Sequence, residues 1–92
     1  MPEEEWEAKS VRVTWSAHAE TRMKQRGLSA LDMNFVALHP DRTEPDPGDP
    51  SLTRAFKRLG DKVLRVVYRQ TVEEFLVTRH IITAFFDRGA KP

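Results

Sequence analysis

The chain reads as an α+β domain in which two N-terminal helices pack on one face of a small antiparallel sheet, in the order β-α-α-β-β-β. Three observations predict it. Two serine-capped helical stretches occupy residues 16–39, and a proline-rich segment then breaks the chain at 40–50. Three alternating runs follow, joined by turns too short for anything but antiparallel neighbours.

The elements follow in order. Residues 1–10 form an acidic tail with four Glu against one Lys and a single aromatic, Trp6, and 11–88 form the single domain. Val11-Arg12-Val13-Thr14-Trp15 alternates and is β-branched, which predicts a strand or extended arm. Ser16 is an N-cap for a helix over 17–26, and Gly27 can take the left-handed conformation that ends it. Its neighbours Ala19 and Met23 share the stripe that can face the core. Ser29 caps a second helix, with Asp32 as a partial capping box. Leu31, Phe35 and Leu38, spaced four then three apart, make an apolar stripe that Val36 widens, so Phe35 is expected at the centre of the helix–sheet contact. His39 closes that helix before Pro40.

Four prolines, a glycine and four acids in residues 40–50 predict a long solvated loop without helix or strand. Strands are then expected at 52–58, 62–69 and 75–86, with Gly60-Asp61 and Thr71 to Glu74 as turns. Strict alternation puts Leu64, Val66 and Tyr68 on one face of the second run, and Val63, Arg65, Val67 and Arg69 on the other. In the last run it groups Phe75, Val77, Arg79, Ile81, Thr83 and Phe85 against Leu76, Thr78, His80, Ile82, Ala84 and Phe86. Neither face is purely polar, which predicts a central strand.

Composition narrows the function classes. A chain of 92 residues buries only about 60–65% of the surface its unfolded form exposes, so its core is thin. It has no cysteine, hence no disulfide or thiolate metal site, and self-association is a further source of burial. Three separated histidines provide no metal ligand set, and four scattered glycines provide no phosphate loop. No cofactor is expected. No apolar run approaches the length of a membrane helix and the acidic start is not a secretory signal, so the expected location is the cytoplasm. The net charge of +1 conceals an asymmetry: residues 11–92 hold fourteen Lys and Arg against ten Asp and Glu. Arginine dominates, and its planar fork suits phosphate oxygens. A salt-bridged surface is the alternative use of the same residues.

Two constellations carry candidate chemistry. His18, Arg22 and Arg26 lie four apart on the first helix and make a row that can meet successive phosphates; the alternative is a solvated face with Glu20 and Lys24 as an ordinary ion pair. Arg65 and Arg79 interrupt apolar stripes on the last two strands, either snorkelling at an edge or facing a ligand groove. Imidazole is the side chain most often used as a general acid or base, which makes His80 a candidate for either role, although a lone strand histidine is more often structural. Trp15 and Phe56 are able to stack on bases but also fit a core.

One stretch is more specific than composition. Ser16-Ala17-His18-Ala19-Glu20-Thr21-Arg22-Met23-Lys24-Gln25-Arg26-Gly27-Leu28 resembles the opening signature of a bacterial family, H-A-x-x-R-M-x-x-R-G-[IL]-S. A closing I-T-[AV]-[YF] strand is matched by Ile82-Thr83-Ala84-Phe85. The chain is identified on these residues as similar to domain-of-unknown-function family 4258 over about 15–86. The resemblance marks His18, Arg22, Arg26 and Thr83 as notable positions without implying a catalytic role, and these four are the candidate anion- or nucleic-acid-binding residues. It also implies a layout similar to small toxin-like RNases of the RelE/ParE type.

Two function classes follow. The first is a toxin-like ribonuclease or RNA-acting domain of metal-independent mechanism. His18 and His80 would be acid and base, Arg65, Arg79 and Arg22 charge stabilisers, and Tyr68 an auxiliary donor. The second is a non-catalytic module that binds nucleic acid or protein, or a structural homodimer. RNA or another polyanion, an antitoxin-like protein and a second copy of the chain are the expected partners.

Overall fold

A computed structural model describes residues 10–87. The acidic segment up to Lys9 and the expected domain end at Arg88 lie outside the described residues; Ser10 already belongs to the first strand. The elements are β1 (Ser10–Trp15), α1 (Ala17–Arg26), α2 (Ala30–Leu38), β2 (Arg42–Pro45), β3 (Leu52–Leu59), β4 (Lys62–Val72) and β5 (Leu76–Phe86). They build an α+β domain around one sheet ordered β1-β5-β4-β3-β2.

The helices end where their caps dictate. The Ser16 hydroxyl accepts from the Ala19 N–H at 2.9 Å, and Gly27 closes α1 at φ 63°. Ser29 accepts from the Asp32 N–H at 3.3 Å, and His39 ends α2. Both helices cover the same face of the sheet. There Ala19, Leu28, Met33, Val36 and Ala37 meet Ala55, Leu64, Val66, Tyr68, Ile81 and Ala84 in one buried cluster. Trp15 packs against it and donates its ring N–H to Asn34 at 2.9 Å.

Four expectations are corrected. The stripe Leu31-Phe35-Leu38 does not face the core: Leu31 is 80% and Phe35 46% exposed, while Met33, Val36 and Ala37 are fully buried. Positions 33, 36 and 37 also have helical spacing, and small Ala37 lets α2 approach the sheet closely, which a stripe of large side chains does not permit. Within 40–50, residues 42–45 form β2 rather than loop, pairing Arg42 with Phe56 and Pro45 with Thr53. An edge strand tolerates a terminal proline because only one side of it must bond. The sheet is mixed, since β1 runs parallel to β5 from Ser10↔Leu76 to Trp15↔Ile81. The helices carry the chain across one face to the far edge, and the β2–β5 meander returns to β1 in the same direction.

The fourth correction concerns β5. Val67 pairs with Thr83 but Tyr68 pairs with Ile81, so Ile82 is an extra residue, a β-bulge. Alternation changes sign there. Val77, Arg79 and Ile81 face the helices before the bulge, and Ala84 and Phe86 after it. Thr78 and His80, then Thr83 and Phe85, face the other way.

Candidate polyanion-binding surface

The site is built where α1 meets the end of β5. β1 stops at Trp15, but β5 runs five residues past their last pair, to Phe86. β4 pairs with that stretch on one side, but among the described residues no strand pairs with it on the β1 side, and the carbonyls of that edge need donors. α1 supplies them. The Ser16 hydroxyl donates to the Ile82 carbonyl at 3.1 Å, and Arg26 Nη1 donates to the Ala84 carbonyl at 3.0 Å. The helix is thereby clamped along the free edge, and Arg26, the last member of its basic row, lies at the border of the sheet's uncovered face.

The row itself has only neutral partners. Arg22 Nε donates to His18 Nε2 at 3.3 Å, and Nη1 donates to Gln25 Oε1 at 3.2 Å. Among the described residues no carboxylate lies within ion-pair distance of Arg22 or Arg26. The Glu20–Lys24 pair, 3.4 Å apart, is on a neighbouring stripe, and both side chains are too exposed for it to contribute much. Arg26 also sits 5.4 Å from the centre of the Phe85 ring, which points to the uncovered face.

That face is covered by guanidinium groups instead of helices. Phe56 is 3% exposed and lies under Arg42 at 3.9 Å, Arg54 at 5.5 Å and Arg65 at 5.8 Å. Arg65 also stacks on Phe85 at 4.2 Å. Carboxylates answer several of these cations. Glu44 lies 3.6 Å from Arg42 and 3.5 Å from Arg54, and Asp87 lies 3.3 Å from Arg65. The Nε of Arg65 is buried without a partner. Towards β1 the face turns polar. His80 Nδ1 and Thr14 Oγ1 are 2.7 Å apart, Arg12 donates to Thr78 Oγ1 at 3.3 Å, and Arg69 stands across from His80.

The structure thus separates the candidate catalytic and anion-binding residues. His80, Arg65 and Thr83 are on the uncovered face, and His18 is exposed on α1. Tyr68 and Arg79 are on the opposite side of the sheet, under α2. Tyr68 is 4% exposed. Arg79 lies over its ring at 5.4 Å, bonds Gln70 at 3.0 Å, and donates to the Ala37 carbonyl at the end of α2. Arg79 therefore does not extend the basic row; it holds a helix end. Arg12, Thr14 and Arg69 are the positions that sequence reasoning left out of the site. Their alternation was legible, but their neighbourhood depends on β1 pairing with β5.

Among the described residues no group of three His, Asp or Glu side chains converges to hold a metal ion, and no helix is long and apolar enough to cross a membrane. The model of the domain-of-unknown-function family DUF4258 matches residues 15–86. The chain belongs to this family. The DUF4258 match spans both helices and strands β2 to β5, and of β1 only Trp15. No curated protein matches the chain.

Proposed function

We propose that this DUF4258 domain binds RNA through its phosphates, with the His18–Arg22–Arg26 row of α1 as the primary contact. One observation carries the reading: Arg22 has neutral partners only, so its charge is free to meet an oxyanion, while most arginines of the adjoining face already have a carboxylate. A guanidinium grips a phosphate with two parallel N–H bonds, which a lysine does not reproduce. Cleavage would require an acid, a base and charge-stabilising donors on one surface. With Tyr68 and Arg79 committed beneath α2, binding without cleavage is the better supported activity.

Arg22→Gln tests it. RNA affinity, followed by fluorescence anisotropy, is expected to fall about tenfold, equivalent to about 1.4 kcal/mol. The slope of log affinity against log salt is expected to drop by about one, and the thermal unfolding midpoint to stay in place. Unchanged RNA affinity in a folded Arg22→Gln variant would remove the proposal.

A further inference from the structure

We infer that the bound RNA is single-stranded and continues from α1 past Phe85 along the uncovered face of β5. This rests on the reading of α1 as the phosphate contact and extends it to a second, separate set of residues. Four β5 side chains mark the path: Phe85, Thr83, His80 and Thr78. The bulge at Ile82 is what puts both halves of the strand's uncovered side chains into one row, because it moves Thr83 and Phe85 to the side already occupied by Thr78 and His80.

Cations flank this row on both sides. On the β4 side Arg65 stands opposite Phe85 and Arg69 opposite His80. On the other side Arg26 lies by Phe85 and Arg12 stands opposite Thr78. Arg12 has no carboxylate within ion-pair distance among the described residues, and Arg69 has one at the 4.0 Å limit, Asp49, besides its bond to Ser51 at 3.2 Å. Even Arg65, paired with Asp87, retains further N–H donors. Between the cations lie the hydroxyls of Thr14, Thr71, Thr78 and Thr83, groups that serve base edges and 2′-hydroxyls.

The dimensions select a single strand. From Thr78 to Phe85 the row spans about 20 Å. That is room for about four extended nucleotides, the lower end of single-strand site sizes. The strip between β1 and β4 is about 10 Å wide and flat, and no helix or ribbon projects from it to enter a duplex groove. At the α1 end the Phe85 ring and the two guanidinium planes beside it provide the stacking position that single-strand sites use.

The test compares two probes and two sets of variants of the full chain. The probes are a labelled oligouridylate of about eight nucleotides and an RNA duplex of about ten base pairs. The oligouridylate is expected to bind at least about tenfold tighter than the duplex. Arg12→Gln and Arg69→Gln, both at exposed side chains, are each expected to weaken it about fivefold without moving the melting midpoint. Phe85→Leu, which keeps apolar cover but removes the ring, is expected to do the same. Loss of binding in Arg22→Gln with no change in the three β5-face variants would overturn the track and leave the α1 contact standing. Equal affinity for duplex and single strand would overturn the choice of ligand. No binding of either probe by the wild-type chain would overturn both readings.

Discussion

The two faces of the sheet solve the same problem with different chemistry. On the helix side, Leu64, Val66, Ile81 and Ala84 are fully buried under Met33, Val36, Ala37 and Ala19. On the other side Phe56, Val63 and Val67 are also buried, yet no helix covers them. The guanidinium groups of Arg42, Arg54 and Arg65 lie over the Phe56 ring. A thin domain closes one face with an apolar layer and shields the other with cations. The second solution costs some burial but leaves a positively charged, hydroxyl-rich surface, and that surface borders a basic row without acidic partners among the described residues.

Substitutions that enlarge or erase this contrast make the sharpest tests. Ile81→Ala, at the centre of the helix-covered cluster, is expected to destabilise by about 3–4 kcal/mol in urea titration, because it opens a cavity between two layers that cannot close over it. Phe56→Ala on the other face is expected to cost less, about 2 kcal/mol, since the flexible arginine stems above it can settle into the space. Equal losses at the two positions would show that the cation-covered face is packed as rigidly as the helix-covered one. Phe35→Ala is expected to cost below about 1 kcal/mol, for Phe35 is on the outer side of α2, 46% exposed, with Lys57 and His39 beside its ring. A loss of about 3 kcal/mol there would place the apolar stripe of α2 back in the core.

Two carboxylates beside β2 also predict a response to acid. Asp41 is held below the usual carboxylate range first by the Arg58 backbone N–H and then by the Lys57 ammonium. Asp49 is held down by the hydroxyl and then the backbone N–H of Ser51. A carboxylate with a lowered folded-state pKa stabilises the fold above its ordinary range, and that contribution is lost as pH falls through about 4 towards the folded value. Asp41→Asn is therefore expected to flatten the pH dependence of the melting midpoint below about pH 4, with the wild-type curve as reference. The smallest effect is expected for a short Gly-Ser insertion at Pro47-Gly48, under about 1 kcal/mol by thermal melt, because loop closure entropy grows slowly with length. The same insertion between Thr43 and Glu44 is expected to cost more, as it breaks the β2–β3 ladder.

Legibility followed the range of the interaction. Ser16, Gly27, Ser29 and His39 act on backbone groups within a turn of themselves, so both helices were readable to their end residues. The Gly60-Asp61 turn and the alternation of β4 are equally local. The face of α2 was not, because two apolar spacings coexist in residues 31–38 and only the gap available under Ala37 chooses between them. β2 was hidden because its proline and acids argue for a loop until an open β3 edge offers hydrogen bonds. Of the candidate site, the α1 row was visible at helical spacing. The grouping of His80 with Thr14, Arg12 and Arg69 was not.

By itself the sequence determined the capped helices, the hairpin from β3 to β4, the arginine-rich composition and the helical spacing of His18, Arg22 and Arg26. Each depends on residues near in the chain, where steric and hydrogen-bonding preferences act without reference to the rest of the molecule. Only the tertiary structure decided which arginines have acidic partners, which side of the sheet each one faces, and that a bulge at Ile82 brings Thr83 and Phe85 alongside His80. Those are consequences of pairing between strands far apart in sequence, where one extra residue reverses every side chain beyond it.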